Sequence, residues 1–213
     1  MYQPPHFRED RRAVQHALMH HHSLGLLITA GPGGLQANAI PFLVDAKASE
    51  NGTLRAHLAR ANPQLRELAE VDECLVVFQG PQTYISPSLY PTKQETGKVV
   101  PTWNYISVHA WGKPRVMDDA AWLRHQLDDL THHHEAPRAA PWQVSDAPDA
   151  FVTAQLKGIV GLEIPIARIE GKWKVSQNRN AADQAGVAAG LRGAGEEADA
   201  MSALVTERMK AAP

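Results

Sequence analysis

Cysteine is almost absent from this 213-residue chain, which has a single thiol at Cys74. That excludes an intrachain disulfide and any multi-cysteine zinc site. Its place in the apolar run 74–78 reads as a buried, inert thiol. A chain this poor in cysteine fits a reducing compartment. No apolar run reaches membrane-spanning length, and residues 1–12 lack the apolar core of a signal peptide. The expected location is therefore cytoplasmic, with no membrane partner. Positive charge is not in excess either: Lys and Arg number 21 against 23 Asp and Glu, a net charge of −2 with histidine neutral. This is not the composition of a dedicated nucleic-acid binder. No Gly-x-Ser-x-Gly elbow surrounds Ser86 or Ser88. The turn Gly31-Pro32-Gly33-Gly34 is too short and wrongly spaced for a Walker loop or a dinucleotide fingerprint. What is present is a globular composition, 44% hydrophobic and 21% charged, enough for a real core.

Patterning predicts an α+β order. Residues 8–22 read as a helix with Val14 and Leu18 on one face. Residues 24–29 and 35–44 read as strands joined by the glycine-rich turn, a β-hairpin. After the turn Asn51-Gly52, residues 53–59 alternate, with Leu54, Ala56 and Leu58 on one side. Asn62-Pro63 reads as a helix start, the helix running to about Val71. Strands are expected at 74–78, 83–86 and 106–117. A helix capped by Asp118 or Asp119 carries Leu123, Leu127 and Leu130 on one face, and a proline-bearing linker covers 136–148. A short helix at 151–156, a strand at 159–169, a turn at Glu170-Gly171 and a strand at 172–176 follow. The alanine- and glycine-rich tail ends in an amphipathic helix with Met201, Leu204 and Val205. The order favours antiparallel sheets with inserted helices over a doubly wound fold.

Three segments invite a chemical reading, each beside a plainer one. Val100-Pro101-Thr102-Trp103-Asn104-Tyr105, with Tyr84-Ile85-Ser86-Pro87-Ser88, mixes stiff prolines, aromatics and small hydroxyls. It suits a flat, partly polar ligand, or a rigid loop capping the core. His57-Leu58-Ala59-Arg60-Ala61-Asn62-Pro63-Gln64 places a guanidinium at a helix start, either a phosphate seat or an ordinary capped helix. Lys172-Trp173-Lys174-Val175-Ser176-Gln177-Asn178-Arg179 is either a ligand-facing strand or a solvated edge strand protected by lysines. The runs His20-His21-His22 and His132-His133-His134 point their rings in different directions, and no metal site is assigned.

Taken in order, these segments resemble the PaiB family of FMN-binding negative transcriptional regulators. The likeness begins at Met1-Tyr2 with Pro5-His6-Phe7 and passes through the His57–Gln64, Gly80-Pro81, Tyr84–Ser88 and Val100–Tyr105 segments. It closes at Lys174-Val175-Ser176-Gln177-Asn178. Leu89 stands where the family has tryptophan, and Val175 where it has leucine. The resemblance implies an antiparallel split β-barrel of the pyridoxamine-phosphate-oxidase type with peripheral helices. It implies FMN as cofactor and a homodimer with flavin sites at the subunit interface. The corresponding domains are 1–179 for the barrel and 180–213 for a helical extension packed on it.

Carried over by segment, Ile40 and Pro41 belong to the strand that offers backbone groups to the isoalloxazine. Arg60, Asn62 and Gln64 fall at the phosphate, with His57 and Ser86 lining the site. Trp103 and Asn104 come from the partner subunit, and Lys174, Ser176 and Gln177 lie near the flavin rim. The implied function is that of a PaiB-like regulator sensing flavin or redox state. An FMN-dependent oxidoreductase of unknown substrate and a haem-binding protein are the alternatives. No helix-turn-helix with a basic recognition face is visible, so direct DNA contact stays open and no catalytic residue is assigned.

Overall fold

The computed structural model describes residues 1–210, so the last three residues of the expected C-terminal extension lie outside the described residues. Its elements, in chain order, are β1 (Arg8–Glu9), α1 (Arg12–His21), β2 (Leu24–Gly31), β3 (Gly34–Pro41), β4 (Leu43–Asp45), β5 (Thr53–Ala59) and α2 (Gln64–Leu68). Then follow β6 (Cys74–Ile85), α3 (Thr92–Thr96), β7 (Thr102–Gly112), β8 (Arg115–Met117), α4 (Ala120–Glu135) and α5 (Asp149–Leu156). The chain ends with β9 (Ile159–Pro165), β10 (Arg168–Lys174), α6 (Ala181–Leu191) and α7 (Glu196–Lys210). The fold is α+β with antiparallel sheets. It divides into two compact units: Met1–Arg11, Gln79–Val108 and Glu170–Pro213 form the first, Arg12–Phe78 and His109–Ile169 the second.

In the second unit, β7-β6-β2-β3 are neighbours in one sheet and β4-β5-β9-β8 in another. The β2–β3 hairpin closes at Gly31↔Gly34. Gly34 sits at φ +96°, a conformation glycine adopts without a Cβ penalty. β5 alternates as expected: Leu54, Ala56 and Leu58 are buried while Arg55 and His57 face the other way. β9 runs beside it in the register Ala56↔Leu162 and adds Val160, Leu162 and Ile164 to the core. Helix α4 begins at Asp119, whose carboxylate accepts the Trp122 N–H at 2.7 Å. Gly161 lies under Trp122: a Cβ there would meet the indole at 2.2 Å.

The first unit places strands in the order β1-β10-β7-β6 against the α6–α7 hairpin. Asn180 caps α6 by accepting from Asp183 N at 2.8 Å. The glycine-rich face of α6 then has a purpose. A Cβ on Gly186 would lie 2.3 Å from the Leu89 carbonyl oxygen, and one on Gly190 2.4 Å from the Leu89 side chain.

Three expectations are corrected, and one of two open readings is excluded. Residues 8–9 are a strand rather than the first turn of a helix. Glu9 is buried and its carboxylate takes the Arg11 side chain and backbone N–H, while Arg8 and Glu9 pair with Lys172 and Gly171. The strands expected at 74–78 and 83–86 are one, β6. Its β2 pairing stops at Leu26↔Val77, and beyond it Gln82 N donates to Glu197 of α7 at 2.9 Å. Glu170 and Gly171 lie inside β10, and the chain reverses at Ile166-Ala167, where Ala167 N donates to the Trp111 carbonyl at 2.8 Å. Finally, β10 is no solvated edge: it runs between β1 and β7, and Lys172 is buried.

Candidate functional site

In the second unit, the segment after β5 gathers the residues expected at a phosphate. Arg60 forms a bidentate pair with Asp118, Nη1 donating to Oδ2 at 2.9 Å and Nη2 to Oδ1 at 2.6 Å. Its Nε and Nη2 also donate to the carbonyls of Lys157 and Ile159. The Asp118 hydrogen bond raises the Arg60 pKa, and Arg60 in turn lowers that of Asp118. The side chain is 45% exposed, and exposed ion pairs of this kind contribute little and exchange readily. Asn62 accepts the Gln64 N–H at 3.0 Å, so Asn62 does cap the turn, but α2 is only five residues long and its dipole adds little. Charge for an anion here comes from Arg60.

Gln64 is fully buried. Its amide nitrogen donates to the Leu27 carbonyl and Thr29 Oγ1, and its oxygen accepts from Asn38. Beside it, buried Glu67 accepts from Thr29 at 2.8 Å and from Gln36 at 2.7 Å. This network ties α2 to the hairpin, and nothing in the sequence pattern singled out Glu67. Ile40 is buried and Pro41 exposed at the end of β3. His57 lies on the α4 side of β5 with its Nδ1 buried and unpartnered. Desolvation lowers its pKa, so the ring is neutral at pH 7.

The first unit joins two sequence-expected residues directly. Asn104 Nδ2 donates to Ser176 Oγ at 2.9 Å, and both residues are buried. Lys174 Nζ donates to Thr102 Oγ1 at 2.6 Å. Desolvation lowers the Lys174 pKa, with Lys172 and Arg179 acting in the same direction. Trp103 and Tyr84 are 53% and 49% exposed, their rings 6.1 Å apart and edge to face. They make an open aromatic wall. Gln177 works locally, its Oε1 accepting from Val175 N and its Nε2 donating to the Trp173 carbonyl. Ser86 accepts from Ser88 N at 3.2 Å and starts the short turn at Pro87–Leu89.

Two features stand out chemically. Ser176 has φ +65°, a left-handed conformation that costs a non-glycine residue about 1–3 kcal/mol and persists where surroundings over-determine it. Here the surroundings are the Asn104 bond and the Arg179 N–H donated to the Ser176 carbonyl at 2.9 Å. The second is Asn104 Oδ1, a buried acceptor with no hydrogen-bond partner among the described residues. Sequence reading also missed Thr102 as the lysine's partner, and Lys172 set over the rings of Tyr105 and Tyr2 at 5.1 and 5.5 Å.

Trp103 alternates with Thr102 and Asn104 along β7, so the aromatic wall and the buried acceptor lie on opposite faces of the strand; the exposed aromatic pair suits the flat body of a planar ligand on an α+β scaffold. The comparisons agree. The family model "Putative FMN-binding domain" matches residues 1–168, and the chain belongs to that FMN-binding family. It is 37% identical to an uncharacterized protein of Emericella nidulans over 89% of this chain and 90% of that one. It is 30% identical to the protease synthase and sporulation protein PAI 2 of Bacillus subtilis over 99% of both chains. Among solved structures it shares its fold with the FAD and haem binding protein of Mycobacterium smegmatis. The TM-score is 0.59 and the identity 18%, over 78% of this chain and 73% of that one. It likewise matches the conserved hypothetical protein Rv2991 of Mycobacterium tuberculosis, with TM-score 0.57 and identity 12%, over 82% and 90%. FMN is thus the cofactor of the family. The Lys174–Gln177 segment lies beyond the residues the family model matches.

Proposed function

We propose that this chain is a PaiB-like flavin protein that acts as a homodimer of split-barrel subunits, holds FMN at the subunit interface and couples the state of the flavin to gene expression. The observation that carries the flavin reading is the match of the FMN-binding family model to residues 1–168, with the exposed Trp103–Tyr84 pair as the surface for a flat ring. In this reading Arg60 and Asn62 hold the phosphate, and Ile40 and Pro41 offer backbone groups to the ring. His57, Gln64 and Ser86 shape the surroundings, and Lys174, Ser176 and Gln177 contact the flavin rim. Bound flavin would supply electron transfer, and the protein groups orient and shield it.

A second copy is the proposed occupant of the outward face of the β6-β2-β3 sheet. That face carries Leu24, Leu26, Ile28 and Ala30 of β2, Leu35, Ala37, Ala39 and Pro41 of β3, and Leu75 and Val77 of β6. All are exposed or half-buried, and no charge lies among them. An apolar patch of this kind marks an interaction surface, and a twofold axis lets one face serve both partners. The printed name of PAI 2 links that protein to protease synthesis and sporulation, which supports a regulatory role here. Helix α7 has acidic residues at its start and basic ones at its end rather than one basic face, which favours indirect action over direct DNA contact.

The test is the absorption spectrum of the purified protein before and after FMN addition, with sedimentation giving the oligomeric state. A chain that shows no flavin peaks and does not bind added FMN refutes the proposal. A specific gel shift at moderate salt would replace the indirect route with direct repression. The open Trp103–Tyr84 wall also favours a second reading, an FMN-dependent oxidoreductase with room for a substrate beside the ring. Bleaching of bound flavin by NADH or NADPH, followed by reoxidation with a defined acceptor, would support it. A haem role has behind it what the M. smegmatis protein binds, and a haem titration without a Soret band discards it.

A further inference from the structure

We propose that the C-terminal ends of α1 and α4 form a proton-released latch: neutral His20, His133 and His134 hold the two helices together, and acid separates them. The latch stands apart from the flavin reading and gives the two histidine runs a role.

The geometry is a seam of imidazoles. The rings of His20 and His133 lie 5.6 Å apart, and those of His133 and His134 4.8 Å apart. His133 Nε2–H donates to the His20 carbonyl at 3.1 Å, across the two helices. A neutral His133 with its proton on Nε2 keeps Nδ1 bare, so a second proton enters there. His134 Nε2 lies 3.5 Å from Ser23 Oγ, and Ser23 is buried between α1 and β2. The Ser23 carbonyl in turn accepts the Phe42 N–H at 2.8 Å, which ties the seam to the chain just after β3. Charged and titratable neighbours are engaged elsewhere or exposed. On α1, Arg12 holds Asn51, His16 meets the Asn51 carbonyl and His21 the Ala17 carbonyl, while His22 adjoins the seam. On α4, Asp129 takes Arg55 of β5 and His125, Glu135 takes Arg138 and the Trp142 N–H, and His132 is exposed. Asp45 of β4, which packs on α1, accepts the Lys47 N–H, and Glu163 of β9 accepts the Trp122 indole. Asp146 accepts the Gln143 N–H, and Asp149 of α5 is exposed. Among the described residues no carboxylate is paired with His20, His133 or His134. Neutral rings pack at these spacings, and imidazolium rings repel. Both runs sit at a helix C-terminus, where the dipole favours a cation and brings the rings into titration. Burial, with His133, His16 and His21 acting the same way, lowers the His20 pKa from its ordinary 6.5. The separated seam therefore takes its proton before the closed one, and closure is lost as pH falls through that window.

Hydrogen exchange of the full chain, read by mass spectrometry at pH 7.5 and 5.5 and corrected for intrinsic rates, tests the latch. The wild-type protein is expected to lose amide protection at least about fivefold at residues 17–24 and 130–136 at the lower pH. Urea below the unfolding transition should leave those rates unchanged, because a local opening exposes little surface, while amides that exchange through global unfolding speed up. His133→Gln keeps an N–H for the His20 carbonyl and takes no charge, and His20→Phe keeps a ring in the seam. Each should lessen the pH response, and the double variant should bring it within about twofold. His125→Gln, on α4 outside the seam, should respond as the wild type does. Equal protection of the wild-type segments at the two pH values overturns the inference. So does a full response in the folded double variant, which places the titrating groups elsewhere. Seam exchange that rises with urea in step with β5 also overturns it, since the acid effect is then global unfolding. Should the double variant fail to fold, His133→Gln and the urea dependence of the wild type decide.

Discussion

Replacing Gln126 by methionine should make the protein more stable. Gln126 lies on α4 and is fully buried, and neither its amide nitrogen nor its amide oxygen has a hydrogen-bond partner among the described residues. It shares a helix face with Trp122 and Asp129, which bind Glu163 and Arg55 of the sheet. Burying an unbonded amide costs about 1–3 kcal/mol in proteins. Methionine has nearly the same length, flexible packing and similar helix propensity, so the swap removes that penalty without opening a cavity. The expected gain is about 1–3 kcal/mol, seen as a rise of roughly 2–4 °C in the unfolding midpoint per kcal/mol for a chain of this size. Leu123→Ala on the same helix is the control, with an expected loss of about 2–5 kcal/mol from the cavity it leaves. Thermal unfolding by circular dichroism reads both. A lower midpoint for Gln126→Met would refute the reasoning, because it would mean that ordered water bridges the amide to the buried Arg55 Nε and His57 Nδ1.

Three further outcomes are expected. Asp118→Asn should tighten FMN binding several-fold while leaving riboflavin binding unchanged, because it removes the carboxylate that occupies Arg60 and riboflavin has no phosphate to gain. Equal effects on both ligands would remove Arg60 from the phosphate. Stability should fall as pH drops below about 6.5, the ordinary histidine value. Burial lowers the folded-state pKa of His57, and burial together with His133, His16 and His21 lowers that of His20. The unfolded chain therefore binds the proton first, and stability is lost between 6.5 and the lower folded values. Unfolding midpoints at pH 7.5 and 5.5 should differ less in His57→Gln than in the wild type. Leu26→Glu should shift the sedimentation behaviour from dimer to monomer with its fold intact by circular dichroism, since Leu26 is exposed within the apolar face of β2 and β3. A dimer that persists would place the interface elsewhere.

The sequence by itself determined the elements whose signals are local. Alternation places β5 at Thr53–Ala59, the glycine-rich turn closes the β2–β3 hairpin, and Asp119 starts α4. It also determined that Cys74 is inert: desolvation, with Glu73 nearby, pushes the thiol up to about 12. The ordered motifs pointed to FMN through their resemblance to a flavin-binding family, which the family model matches over residues 1–168.

Tertiary structure decided what depends on neighbours distant in sequence. Arg8 and Glu9 became a strand because β10 offered partners 162–164 residues away in register. β6 runs on past the end of its β2 pairing at Val77, where α7 supplies Glu197 to accept the Gln82 N–H. Lys172, which alternation alone left on either a ligand-facing strand or a solvated edge, is buried near the rings of Tyr2 and Tyr105. The same holds at the site. Gln64 and Asn104 are both amides in flavin-family motifs and look equivalent as letters. Packing around the first satisfies every polar atom of its side-chain amide. Packing around the second ties down its nitrogen and leaves its oxygen buried with no hydrogen-bond partner among the described residues. A hydrogen bond is set by distance and direction between atoms, and only the folded chain supplies those.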